Sequence, residues 1–364
     1  MIKTTGKISF IQLFMVIMLF NGLLSHVIVN PILLEASRRD AWLSVLFATL
    51  LFLPWCALLV YIMNKSGRQK IQPWLAEKTS PLLSWLILAP IIAQLYLIGG
   101  MTIIQTTLWT VSNYLPATPQ YVLILTLLLV SHFAARNGIR TIAIGAGILL
   151  PIVVCLGYYV SFANMPNKDW FLLLPMMEDG WGRVLNGMVY IGGAFIELSL
   201  VLLLQHRLSK KVKVWQMLLL GLVLAYITLG PVVGAITEFG PDESAKQMVS
   251  PYEQWRLVKL GSYIEHVDFF SVFQWIAGAS VRISLAQFLL YDLIAFKKPK
   301  SRNRFLGVIT LSYLVITLYI SRKHTFYLDL FEKYLVITLI ITLILSAILT
   351  VIALFSKSSK EVQK

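Results

Sequence analysis

Charge is what this chain has least of. Asp, Glu, Lys and Arg make up 13% of its 364 residues, about half the share usual in soluble proteins. The acids are the scarcer sign, 17 against 31 Lys and Arg. Only two cysteines and five histidines are present, which excludes a disulfide scaffold and leaves no spaced set of metal ligands. Cys56 and Cys155 both fall inside apolar runs, where packing is the expected role. His26 and His132 stand alone, so neither a metal nor a cofactor is expected. The chain also lacks a phosphate-binding Gly-Lys loop, a nucleophile elbow and a clustered pair of catalytic acids, so hydrolytic chemistry has no support and no enzyme is expected.

What is present is apolar sequence in long runs, 58% of the chain, with a mean hydropathy of +0.77. A helix needs about 20 apolar residues to cross a bilayer core about 30 Å thick. By that measure there are ten spans, near 8–36, 41–63, 82–111, 120–135, 141–163, 183–205, 214–237, 263–294, 305–321 and 333–355. The fold class is therefore an all-α polytopic membrane protein, one integral domain over 1–364 with a short tail at 356–364. The net charge of +14 would suit nucleic acid in a soluble chain. Here it is distributed by side: alternate connecting segments hold 20 basic residues, and the others hold 10 with most of the acids. The positive-inside rule then puts both termini in the cytoplasm and makes the lipid bilayer, with no nucleic acid, the partner of the charge. The longest connection, about 238–262, carries Tyr252, Trp255 and Leu257 and reads as an external loop lying on the surface.

Ten spans divide into five and five, and an odd number per half inverts the second against the first. The repeats run about 8–163 and 183–355. In this plan the first helix of each half is broken around the binding site. Span one is interrupted by Asn21, Gly22, Ser25 and His26, and span six by Gly192 and Gly193 followed by Glu197. Gly22 and Gly192 are 170 residues apart, close to half the chain. Breaks free N–H groups for an anion and C=O groups for a cation, which suits a zwitterionic amino acid. Gly22 and Leu23, then Gly192, Gly193 and Ala194, are expected to present backbone to such a ligand. Tyr96 and Gly100 in span three, with Ser280 and Ser284 in span eight, are expected to shape the side-chain end; small residues at that spacing also serve helix packing.

Glu197 is the acid deepest in a span and Arg282 the one mid-span base. A charge at that depth is costly unless paired, so the two are candidates for a polar core or gate, as a pair or separately.

Residues 263–275, YIEHVDFFSVFQW, resemble the B subunits of bacterial spore germinant receptors, in which Ile-Glu, a base, an aliphatic residue, an acid and aromatics lead to a Trp. The opening KISFIQLFMVIMLF (7–20), the RRDAWLSVLFA run (38–48) and Gly193, Phe195 and Glu197 in span six fit the same family, although the Gly-Phe-Glu group is spread by Ala194 and Ile196. The resemblance implies a LeuT-like fold with broken helices one and six, related to amino-acid permeases of the APC superfamily. It further implies a nutrient-sensing subunit of the spore inner membrane that binds a small germinant, often an amino acid. An A-type membrane subunit and a C-type lipoprotein would be its partners. An amino-acid permease coupled to H⁺ or Na⁺ is the alternative. Bulky substitution at Gly22 or Gly193 is expected to abolish the response to nutrient while the protein still accumulates.

Overall fold

Backbone polar groups inside a bilayer find no water, so each long apolar run must satisfy its own N–H and C=O groups, and helix is the local solution. The computed structural model describes residues 6–259, 267–296, 298–320 and 324–356. They form helices α1 (Phe10–Gly22), α2 (Asn30–Ser37), α3 (Ala41–Lys65), α4 (Ile71–Lys78), α5 (Pro81–Asn113), α6 (Gln120–Asn137), α7 (Ile139–Ala163), α8 (Trp181–Phe195), α9 (Val201–Leu204), α10 (Val214–Phe239), α11 (Pro241–Ser244), α12 (Ser250–Arg256), α13 (Phe269–Ile294), α14 (Pro299–Ile320) and α15 (His324–Phe355). Among the described residues there is no β-strand, only one parallel bridge between Ile8 and Leu208. Lys3, Lys297, Arg322, Lys323, the tail beyond Ser356 and the YIEH half of the 263–275 motif lie outside the described residues.

Nine helical segments among the described residues are long and apolar enough to span a membrane. The tenth expected span is α6, a helix of 18 residues that is diluted by Gln120, His132, Arg136 and Asn137 at its ends. Pro54, Pro90, Pro151 and Pro231 sit inside long helices, a placement that packed neighbours make tolerable in membrane proteins. The outside of the bundle is as apolar as its core: Leu51, Leu129, Phe133 and Phe162 are each more than three-fifths exposed. A soluble monomer does not carry such a surface, and lipid covers it without cost. Cys155 is on this exposed face rather than in packing, whereas Cys56 is buried as expected.

α13 is the centre of the bundle, packed by α1, α5, α6 and α7. α8 lies against α2, α3 and α15. Two close approaches fix α8. A Cβ at Gly187 would run into Ser37 Oγ, which donates to the Arg183 carbonyl at 2.8 Å, beside Ser44 Oγ donating to Val184 O at 2.9 Å. A Cβ at Gly193 would collide with the backbone carbonyl of Leu335 in α15. Backbone cannot swing aside as a side chain can, so Gly193 sets the α8–α15 separation.

Gly193→Ala should therefore destabilise the protein by about 1–3 kcal/mol through overpacking. Gly145→Ala in α7, with nothing within 4 Å of the new methyl, should leave stability unchanged. Thermal unfolding of both variants in detergent checks this, and equal melting temperatures would remove Gly193 from the packing argument.

Candidate functional site

Two helical segments change their winding where they meet. After Gly22 the first span continues as a π-helix, Leu23–Ile28, in which Val29 N–H donates to Leu24 O at 2.9 Å. After Phe195 the sixth span tightens into a 3₁₀ segment, Ile196–Leu200, before α9. Asn21 Nδ2 joins the two by donating to the Ala194 carbonyl at 2.8 Å. The expectation of open helix ends is corrected here: both breaks are rewound rather than extended, which keeps their N–H and C=O groups paired inside the bundle. π-bulges of this kind concentrate at functional positions.

Glu197 lies in the 3₁₀ segment and Arg282 at mid-length of α13, about 20 Å from either end at 1.5 Å per residue. The two form a bidentate pair, Arg282 NH1 to Glu197 Oε2 at 2.6 Å and NH2 to Oε1 at 2.8 Å, with side chains only 3% and 0% exposed. The guanidinium also donates through Nε to Thr102 Oγ1 in α5 at 3.0 Å and through NH1 to the Phe20 carbonyl in α1 at 3.0 Å. Its carbon lies 4.7 Å from the Phe20 ring centroid. Tyr334 in α15 donates its hydroxyl to Glu197 Oε1 at 2.7 Å. Helices α1, α5, α13 and α15 and the α8–α9 junction are thus tied at one point. An ion pair withdrawn from water survives only when its remaining donors and acceptors are satisfied in this way. An acceptor on the same segment is left over: Asn21, the residue after Phe20, has its Oδ1 buried with no hydrogen-bond partner.

The other expected residues separate into two groups. Gly22 and Leu23 are at the junction: a Cβ on Gly22 would meet Ile227 Cδ1 at 3.3 Å, and Leu23 packs on Gly278 of α13. Ala194 is there through its carbonyl. Ser284 is buried and donates to the Ser280 carbonyl one turn earlier on α13. Tyr96, Gly100, Gly192 and Gly193 face elsewhere. Tyr96 donates to Ser312 Oγ at 2.8 Å and packs its ring on Tyr313, which also covers Gly100. Gly192 and Gly193 lie under Leu339 and Leu335 of α15. In this structure those four positions are helix contacts, because the small-residue faces that read as a ligand cradle are filled by α14 and α15.

At one end of the bundle an aromatic plug covers the junction. Trp109 of α5 and Trp275 of α13 stack with centroids 4.4 Å apart, Tyr252 of α12 meets Trp109 edge-on at 4.9 Å, and Trp275 Nε1 donates to Thr106 Oγ1 at 3.0 Å. The loop expected on the surface therefore folds inward, burying Tyr252 and Trp255. Burial and the hydrogen bond from its hydroxyl to Asp268 push the Tyr252 phenol up to about 12. At the other end Asp292 gathers three basic side chains: His206 Nε2 at 2.9 Å, Lys70 Nζ at 3.8 Å, and Arg207, which bonds its carboxylate directly. Arg207 O also accepts from Ile8 N–H at 2.8 Å, so the chain's start is fastened to the same cluster. Tyr334, Asp292 and the tryptophan stack were not anticipated. A lone Tyr, an Asp at a helix end and two Trp 166 residues apart carry no local signal. Among the described residues no three or more His, Cys, Asp or Glu side chains gather as a metal site.

The arrangement is that of a polytopic helical membrane protein. A mutant of the manganese transporter of Eremococcus coleocola shares the fold with a TM-score of 0.52 at 13% identity, over 93% of this chain and 78% of that one. Within that class the chain belongs to the spore permease family described as "Spore germination protein", which matches residues 7–326. It is 37% identical to Spore germination protein XB of Bacillus anthracis over 97% of its own length and 99% of that protein's.

The central pair makes a direct prediction. Glu197→Gln or Arg282→Gln alone leaves a buried charge uncompensated and should cost about 3–5 kcal/mol. The double variant should lose clearly less than the sum of the two, with a coupling of about 0.5–3 kcal/mol. Unfolding of the four proteins in detergent gives the cycle, and additive losses would mean that the two charges do not act as a pair.

Proposed function

We propose that this chain is the nutrient-sensing, B-type subunit of a spore germinant receptor, embedded in the spore inner membrane with both termini in the cytoplasm. Its ligand is a small germinant, an amino acid rather than a sugar, because the junction offers paired charges rather than hydroxyl-binding side chains and stacking aromatics. Membership of the spore germination family over nearly the whole chain is the observation that carries this reading. The five-plus-five repeat, about 8–163 and 183–355, belongs to the same proposal, with the binding junction where α1 and α8 change winding.

A sensor needs two conformations with different affinity for the ligand. The junction supports that requirement: π and 3₁₀ segments can rewind to α-helix with small shifts, and the pair ties them to α5, α13 and α15. The closed plug at one end and the Asp292 cluster at the other favour occlusion over passage. The signal would then pass to an A-type membrane subunit and a C-type lipoprotein through the bundle's exposed faces.

Purified protein in liposomes tests the reading against the permease alternative. A sensor should bind labelled amino acid without accumulating it under an imposed H⁺ or Na⁺ gradient. Accumulation that follows the gradient would make it a permease instead. Mild detergent extraction of spores should bring down the two partner subunits with this chain, and a chain that comes down alone would remove it from a receptor complex.

A further inference from the structure

The Glu197–Arg282 pair is the one place among the described residues where a full positive and a full negative charge meet midway along the spans, and Asn21, next in the chain to the Phe20 carbonyl that Arg282 holds, has a buried Oδ1 without a partner. The other buried pairs lie near the ends of the bundle. Lys168 and Glu238 meet at 2.7 Å where α10 ends, and Asp292 and its partners sit where α13 ends. An α-amino acid carries the same two charges on adjacent groups. We propose that a zwitterionic amino acid binds by exchange into this pair, its carboxylate taking the place of Glu197 on Arg282 and its ammonium taking the place of Arg282 on Glu197. This rests on the reading of the chain as an amino-acid sensor and specifies how the sensing site works.

The chemistry balances without a new charge in the membrane. Before binding there is one buried cation–anion contact, and afterwards there are two, each with the same hydrogen-bonding capacity on the protein side. Arg282 presents a fork suited to a carboxylate. Glu197 keeps the Tyr334 hydroxyl while its other lone pairs turn to the ammonium. The ammonium has a further proton to place, and Asn21 Oδ1 is the buried, unpartnered acceptor available on the residue after Phe20; the side-chain amide of Asn21 already bonds Ala194, three residues before Glu197. The residues flanking these groups in the chain, Phe20, Leu23, Phe195 and Ile196, are apolar and buried, which favours a ligand with an apolar side chain.

Exchange also explains how occupancy is transmitted. Arg282 belongs to α13 and is anchored to α1 and α5, while Glu197 sits in the 3₁₀ segment after α8 and is anchored to α15. A ligand inserted between them separates α13, α1 and α5 from the α8–α9 junction and α15. The π and 3₁₀ segments are the elements that absorb the shift.

The test uses the full chain in lipid nanodiscs and follows thermal stabilisation by each of the twenty L-amino acids, with glucose and adenosine as uncharged probes. Each stabilising amino acid is then compared with its carboxamide, which lacks the carboxylate charge, and with the corresponding acid lacking the amino group. Exchange requires both analogues to bind at least about tenfold more weakly, since each strands one member of the pair. An analogue that binds as well as its parent amino acid overturns the exchange and leaves the sensor reading standing. Stabilisation by glucose or adenosine alone overturns the exchange and the amino-acid class together, and no stabilisation by any probe overturns the sensor reading as well. Glu197→Gln, which keeps the shape of the side chain, should bring the deaminated acid to parity with the amino acid, while Tyr334→Phe should retain the preference. These comparisons on the unaltered protein hold even where Glu197→Gln fails to fold.

Discussion

One buried ion pair organises this protein. Glu197 and Arg282 are withdrawn from water at mid-membrane, where either charge alone is prohibitively costly. Each is therefore surrounded by partners, and those partners come from different helices: Thr102 from α5, the Phe20 carbonyl from α1 and Tyr334 from α15. Apolar packing between membrane helices has little directional preference, because lipid tails are as apolar as leucine. A hydrogen-bonded charge network supplies the direction that packing lacks. It fixes the rotation of α13 about its axis and the register of the α8–α9 junction against α1.

The irregular winding of the first and sixth spans follows from that constraint. To bring Glu197 to Arg282, the chain after Phe195 tightens, and the chain after Gly22 widens to clear it. Asn21 stitches the two deformed segments through Ala194. Both deformations keep backbone hydrogen bonds, which an extended break in a closed interior would forfeit. The aromatic plug and the Asp292 cluster then act on the same helix from its ends: Trp275 and Asp292 are both on α13, on either side of Arg282. α13 is thereby held at three levels, by stacking, by the central pair and by a multivalent charge cluster.

Much of this was legible from residue order, and the part that was not has a common cause. The spans and the positions of the two breaks follow from hydropathy and from polar residues interrupting it, signals local to 20 or so residues. Glu197 and Arg282 were recognisable because a charge in an apolar run is itself anomalous. What residue order does not carry is the pairing of faces. Tyr96, Gly100, Gly192 and Gly193 have the composition of a cradle, but only three-dimensional packing decides which neighbour a small-residue face receives, and α14 and α15 take those positions. α14 and α15 come late in the chain, and nothing in spans three or six announces them. The amphipathic pattern by itself puts Tyr252 and Trp255 on a surface, whereas Tyr252 is buried against the stacked Trp109 and Trp255 against Tyr159 and Phe270.

The identity of the central cation carries a last consequence. A guanidinium stays protonated across all physiological conditions, and here it donates to the Phe20 carbonyl just before the winding of the first span changes. A diffusible cation at such a carbonyl would come and go with its concentration, and the junction's charge would follow it. A tethered one makes the positive charge a constant of the fold. Its acceptors are the Glu197 carboxylate, the Thr102 hydroxyl and the Phe20 carbonyl, so α1, α5 and the α8–α9 junction are tied to one cation, and α15 joins them through Tyr334. A fixed charge at the centre thus holds α1, α5, α13, α15 and the α8–α9 junction together whatever the ionic conditions outside.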